Sequence, residues 1–348
     1  QLPTPRVGLV DFCSNDYLGY ARMSFPASGP QREGATGSRL ISGNSALAEA
    51  VEAEIAAFHR AEAGLIFSSG YAANLGLLSA LCQRQDTIIY DQLLHASLRD
   101  GIRLTRSRAL GFGHNDLADL RKKLTAARIK NAGQLFVIVE SVYSMDGDQA
   151  PLLAMADCCE EFGANLIVDE AHGTGVLGPR GEGGVVAAGL NERVFARVHT
   201  FGKAIGSHGA IVLGSATLRS YLINFARPFI YSTGIPDATL ARIQSAYREL
   251  KSGTALLRLR QLITYFQNQC PVQLQEQLLP STTPIQALVC PGNSAVVHLA
   301  QRVQSAGFQV LPIRYPTVPA GEERLRICLH VFNTESEIDQ LLTILHSE

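Results

Sequence analysis

The sequence predicts an α/β protein, with a large domain on a mainly parallel sheet and a smaller α+β domain after it. Three observations carry this. The candidate strands are short, continuous apolar runs such as "TIIYD" (87–91), not alternating ones, as suits strands covered on both faces. Helical stretches separate them, the order that builds parallel sheets through crossovers. After "YSTGIPD" (231–237) the texture changes to a different mix of strands and helices.

The elements follow in order. Residues 1–37 read as an irregular N-terminal segment. Leu47, Val51, Ile55 and Phe58 share one face of a helix over about 45–60. "AGLIFSSGYAANLGLLSAL" reads as strand, Ser-Ser-Gly turn and helix. Strands are expected at 87–91 and at "QLFVIVES" (134–141). "PLLAMADCCEEFG" (151–163) forms a helix, with Pro151 near its first turn and Gly163 at its end. "NLIVDEAH" (165–172), "ARVHTF" (196–201) and "GAIVLGS" (209–215) continue the sheet. A helix over about 238–252 opens the last part. There "PIQALVC" and "RLRICLHVF" are strands, and 294–306 and 335–346 are helices. The expected domains are 38–237 and 238–348.

Composition narrows the function. The chain has 348 residues, 46% hydrophobic and 18% charged, with a formal charge of −1. Such a chain buries a sizeable core. Near-neutral charge without a basic run argues against nucleic acid. No apolar run approaches the ~20 residues of a membrane span. The seven cysteines include no C-x-x-C pair and read as buried thiols in a reducing compartment. No secretory signal is read, so a cytoplasmic location is expected.

Ligands of open α/β sheets gather at the carboxyl ends of the strands. Ser69-Gly70, Glu140-Ser141, Asp169, His172, Thr200 and Lys203 all fall there. Lys203 stands out because its neighbours, Gly202, Ala204, Ile205 and Gly206, are small or apolar. An amine, a buried carboxylate and phosphate donors together suit pyridoxal 5'-phosphate. The amine condenses with its aldehyde. The carboxylate keeps the pyridine nitrogen protonated, which makes the ring an electron sink. The phosphate seeks N–H groups at a helix start, which "SSGYAAN" supplies. Taken singly, each residue has a plainer reading: Lys203 as a surface turn, Asp169 as a cap, His95 as a helix-surface histidine. "GPRGEGG" (178–184) reads as a flexible loop, and Asn115 and Asp116 of "GHND" as helix-cap candidates. No metal set is read. A nicotinamide-linked dehydrogenase is disfavoured, since no G-x-G-x-x-G follows a strand.

Joined in order, the motifs resemble those of the α-oxoamine synthases, pyridoxal-phosphate enzymes of fold type I. The matching stretches are "SNDYLGY", "GATGSRLISGN", "FSSGYAANLG", "DQLLHASLRDG", "ESVYSMDGDQAPL", "VDEAHGTGVLGPRGEGG", "HTFGKAIGSHGA" and "FIYSTGIP". The resemblance implies a seven-stranded sheet, a homodimer with shared sites, and decarboxylative condensation of an amino acid with an acyl thioester. "DEAHGTGVLG" and "IRYPTVPAGEERLRICL" lean toward L-alanine and a pimeloyl group on CoA or a carrier protein. Glycine with an acetyl group, serine with a palmitoyl group, and a catalytically silent homologue are the alternatives.

It also implies roles. Lys203 holds the cofactor aldehyde and moves the Cα proton. Asp169 pairs with the pyridine nitrogen, and His95 stacks on the ring. His172 and Ser141 lie near the phenolic oxygen. Ser69, Gly70, Tyr71 and Thr200 hold the phosphate, with Glu140 beside the cofactor. Ser232 and Thr233 reach the phosphate of a neighbouring subunit. Asn15 and Arg326 bind the amino-acid carboxylate, a task suited to the arginine fork. The sequence departs from the family in having no helix ahead of "SNDYLG", a short stretch at 21–33, and "HVFN" (330–333) in place of a small-residue segment ending in His.

Overall fold

The computed structural model describes residues 8–25, 32–130 and 133–347. The stretch 21–33 therefore lies partly outside the described residues. The chain divides into two units. The larger takes 20–143 and 149–253, and the smaller takes 8–19, 144–148 and 254–347.

The larger unit holds a seven-stranded sheet. Its strands are β1 (Ala63–Phe67), β2 (Thr87–Asp91), β3 (Arg108–Phe112), β4 (Leu135–Glu140), β5 (Ala164–Asp169), β6 (Ala196–Thr200) and β7 (Ala210–Gly214). The order is β1-β7-β6-β5-β4-β2-β3, and only β7 runs against the rest. The sheet is mainly parallel, as the sequence predicts. The sequence reading misses β3, a sheet-edge strand whose "RALGF" begins on an exposed arginine and has no apolar run.

Helices cover both faces. They are α1 (Ala46–Phe58), α2 (Gly70–Leu81), α3 (Ala96–Leu104), α4 (Leu117–Lys130), α5 (Leu152–Glu161), α6 (Ala216–Phe225) and α7 (Asp237–Leu250). Strand side chains alternate between faces. Leu65, Phe67, Phe136, Ile138, Ile167, Ala196 and Val198 therefore pack with α2, α3 and α6. Val137, Val139, Leu166 and Val168 pack with α4 and α5. Asp116 caps α4, its Oδ1 accepting from the N–H groups of Ala118 and Asp119 at 2.9 Å. Asn115 instead takes a positive φ of 53°.

The expected boundary at 237/238 moves to 253/254, because α7 packs on α1. His59 Nε2 is 2.9 Å from the Tyr247 hydroxyl, and the Phe58 ring meets the Tyr247 ring edge-on at 5.3 Å. The segment 178–184 is a tied turn, not a flexible loop. Glu182 is buried, its carbonyl lies 2.7 Å from His59 Nδ1, and Gly184 N–H donates to Glu170 at 2.9 Å.

In the smaller unit, β8 (Ile285–Val289), β9 (Leu311–Ile313) and β10 (Arg324–Cys328) form an antiparallel sheet with β10 in the middle. The helices α8 (Thr254–Gln269), α9 (Asn293–Ser305) and α10 (Glu335–His346) complete it. Helix α8 is not among the helices expected from the sequence, although Leu256, Leu259, Ile263 and Phe266 are buried at helical spacing. Val10–Asp11 pairs in parallel with Phe308–Gln309, so residues 8–19 belong here and not to a separate N-terminal segment.

Candidate active site

The sheet brings the expected polar residues of the larger unit to one edge. Glu140 and Asp169 end β4 and β5 in register, and Asp169 lies opposite Val198 on β6. Period-two alternation puts Glu140, Asp169 and Thr200 on the face covered by α2 and α3, where Ile138, Ile167 and Val198 also point. His95 follows β2, Gly70 follows β1, and Lys203 follows β6.

Asp169 is buried and ion-pairs with no cation among the described residues. Its Oδ1 accepts from Ala171 N–H at 2.9 Å, and its Oδ2 accepts from Asn74 Nδ2 at 2.8 Å. A buried carboxylate without a counter-charge is costly. This one has lone pairs left for a ligand cation. Asn74 also donates to Ser97 Oγ at 2.9 Å, and its own Oδ1 is buried without a partner among the described residues. Ser97 in turn meets His95, its N–H donating to His95 Nδ1 at 3.1 Å. His95 is thus the N-cap of α3, not a helix-surface residue. Asn74 and Ser97 escape sequence reasoning. The signal for Asn74 is its place four residues after Gly70, one helical turn on.

Glu140 accepts from His95 N–H at 2.5 Å. Burial pushes its carboxyl up to about 8, the Asp169 charge adds to this, and Lys203 works against it. Burial pulls the His95 imidazole down, with Asp169 opposing and Lys203 reinforcing the shift. The Lys203 charge therefore acts on both groups. Lys203 sits in a pinched loop. Gly206 N–H donates to the Lys203 carbonyl at 2.8 Å, and Ser207 N–H to Phe201 at 2.7 Å. Gly206 has a φ of +61°, and a Cβ there would lie 2.2 Å from Ala21 N.

The start of α2 forms a cradle. Ser69 Oγ accepts from Ala72 N–H at 3.1 Å, and the Gly70 and Tyr71 N–H groups have no acceptor among the described residues. A Cβ on Gly70 would meet Thr200 Cγ2 at 2.6 Å. Tyr71 turns its ring outward, where its hydroxyl donates to Asp100 at 2.5 Å. Helix start, uncompensated carboxylate and nearby lysine together fit pyridoxal phosphate.

Ser141 is directed elsewhere. Its hydroxyl donates to Glu170 Oε2 at 2.6 Å, and Glu170 also accepts from the N–H groups of Gly184 and Val185. Glu170, which sequence reasoning missed, therefore fixes the loop after Asp169. His172 is buried in that loop. Ser232 is half-buried and Thr233 exposed, and no side-chain hydrogen bond ties them to the strand-end cluster among the described residues. Thr233 pairs with Ser38 through the backbone, and Gly234 N–H donates to Gly37 at 2.9 Å.

In the smaller unit Asn15 and Arg326 meet directly. Arg326 Nη2 donates to Asn15 Oδ1 at 2.9 Å, Nε to the Ser144 carbonyl at 2.6 Å, and Nη1 to Cys328 Sγ at 2.9 Å. Arg326 is 8% exposed, and no carboxylate pairs with it among the described residues.

Residues 7–345 match the family model described as aminotransferase class I and II. The chain is 43% identical to an 8-amino-7-oxononanoate synthase of Emericella nidulans, over 96% of this chain and 87% of that relative. It is 40% identical to the enzyme of that name from Marinobacter nauticus, over 97% and 86%. Among solved structures it resembles serine palmitoyltransferase of Sphingomonas wittichii, with a TM-score of 0.87, 29% identity and coverage of 97% and 86%. It also resembles 8-amino-7-oxononanoate synthase of Francisella tularensis, with a TM-score of 0.80, 29% identity and coverage of 97% and 96%. A serine palmitoyltransferase from S. paucimobilis with bound PLP superposes at a TM-score of 0.86, with 27% identity and coverage of 97% and 86%.

Proposed function

The chain belongs to the aminotransferase class I and II family, and on that footing we propose that it is a pyridoxal-phosphate-dependent C-acyltransferase of biotin biosynthesis. It condenses L-alanine with a pimeloyl thioester, releasing the thiol and CO2 and leaving 8-amino-7-oxononanoate. The relatives of that name, which the chain matches over nearly its whole length, support this choice over acetyl and palmitoyl donors. The observation that carries the chemistry is the buried Asp169 carboxylate, ion-paired to no cation among the described residues and held by Ala171 N–H and Asn74 with lone pairs to spare, while the Lys203 charge acts on its neighbours Glu140 and His95.

The cofactor, when bound, supplies an electron sink for charge developing at the substrate Cα. The chain's residues do the rest. Lys203 would hold the aldehyde end and would carry the proton to and from Cα. Asp169 holds the proton on the pyridine nitrogen, with Asn74 fixing its carboxylate. His95, His172 and Glu140 surround the ring, while Ser141, turned to Glu170, supports the loop that carries His172. Ser69, Gly70, Tyr71 and Thr200 receive the phosphate at the α2 start. Asn15 and Arg326 orient the amino-acid carboxylate, because a buried guanidinium without an anionic partner favours one.

The assembly is a homodimer in which Ser232 and Thr233 reach the partner's phosphate. Leu40, Ile41 and Tyr231, on the two segments joined at Ser38 and Thr233, are 51%, 87% and 71% exposed, an apolar surface that asks for cover. The seven free thiols suit a cytoplasmic location, and no helix among the described residues is long and apolar enough to cross a membrane. The test is thiol release with pimeloyl-CoA or pimeloyl carrier protein plus L-alanine, set beside acetyl-CoA plus glycine. Release and the ketone product with the pimeloyl pair are expected. Release only with acetyl-CoA and glycine would move the enzyme to another branch.

A further inference from the structure

The "HVFN" segment (330–333) has a place in this architecture. It follows β10, the strand that carries Arg326. His330 and Asn333 are both buried, 0% and 2% exposed. Each reaches back to the loop that carries Asn15. His330 Nε2 lies 3.0 Å from the Ser14 hydroxyl and 3.0 Å from the Ser14 carbonyl oxygen. Asn333 Oδ1 accepts from His330 N–H at 2.9 Å and lies 3.0 Å from His330 Nδ1, while its Nδ2 donates to the Asp11 carbonyl at 3.0 Å. Asp11 Oδ1 accepts from the N–H groups of Cys13 and Ser14, which folds the loop on itself. Two backbone bonds join the same partners, Cys328 N–H to Phe12 and Val331 N–H to Tyr17.

Asn15 sits in the middle of this loop, between Ser14 and Asp16. Its Oδ1 holds Arg326 Nη2 and also accepts from the Tyr17 hydroxyl at 3.2 Å. Asn15 thus fixes the Nη2 end of the guanidinium fork, beside the bonds that Nε makes to Ser144 and Nη1 to Cys328. The loop carries little regular structure of its own beyond the two-residue pairing at its start.

We propose that His330 and Asn333 are positioning residues: they latch residues 11–17 to β10 so that Asn15 and Arg326 present a preformed clamp to the amino-acid carboxylate. This rests on reading Asn15 and Arg326 as that clamp. A clamp ordered before binding costs the ligand less ordering entropy, so the latch sets amino-acid affinity.

The experiment uses the full chain loaded with pyridoxal phosphate. Asn333→Ala and His330→Gln are expected to raise the L-alanine KM about tenfold, with kcat changed less than twofold. In the absence of substrate, amide exchange across residues 10–19 is expected to quicken at least tenfold in both. Arg326→Lys should raise the same KM, and adding Asn333→Ala to it should raise it by much less than tenfold more, because the two act through one contact. Should the buried variants fail to fold, Ser14→Ala removes one latch bond and must shift KM and exchange in the same direction by a smaller factor. A raised KM in Arg326→Lys with unchanged KM and exchange in the latch variants overturns the proposal alone. An unchanged KM in Arg326→Lys overturns the clamp reading and the proposal with it.

Discussion

Lys203 and Glu140 show how one cation and one acid share a buried edge. Lys203→Ala should abolish turnover while leaving some cofactor bound, and full activity in that variant would remove the assignment. Glu140 makes a pH prediction. Its folded value of about 8 lies above the ordinary 4.5. Between those values the folded protein holds a proton that the unfolded chain has lost, so stability falls as pH rises through the window and levels off above it. Glu140→Gln keeps an acceptor for His95 N–H and cannot ionise. In cofactor-free protein, the melting temperature of wild type relative to the variant should drop between about pH 5 and about pH 8. Equal differences at both ends would mean that Glu140 ionises at its ordinary value.

Helix α2 and strand β6 meet at Gly70 and Thr200, where a methyl group has no room. Gly70→Ala should push the α2 start away from the phosphate position and weaken pyridoxal phosphate binding by about tenfold to a hundredfold, one to two steps of ~1.4 kcal/mol. Thr200→Ser removes the Cγ2 that clashes, so the double variant should recover most of the loss in a cofactor titration. If it recovers nothing, the clash is not the cause. The same elements show what was legible in the sequence. β2, β4 and β5 announce themselves as apolar runs because both faces are covered. β3 does not, because it opens on exposed Arg108 and Ala109 at the sheet edge. Lys203 and Asp169 were legible because strand ends can be counted. Asn74 and Glu170 were not, because nothing in "YAANLG" says which helix face meets the sheet, and Glu170 finds its partners Gly184 and Val185 only through the turn at 178–184.

Two compact units and an exposed apolar surface define the molecule as a whole. Ile41 is the most exposed of the large apolar side chains on the 38–44 and 231–234 segments. Ile41→Asp would bury a charge in any interface formed there. For the proposed homodimer, sedimentation should show a shift from dimer to monomer, with activity lost in parallel. A variant that stays dimeric would place the interface elsewhere.

The pairing of Val10–Asp11 with Phe308–Gln309 has a further consequence, one of timing. During synthesis the first of these segments leaves the ribosome long before its partner. The larger unit closes its sheet at β7, by residue 214, and can fold while synthesis continues. The loop bearing Asn15 cannot find Arg326 until β10 has emerged. A nascent chain therefore has its lysine long before its arginine, and a product stalled short of β10 lacks the arginine half of the clamp.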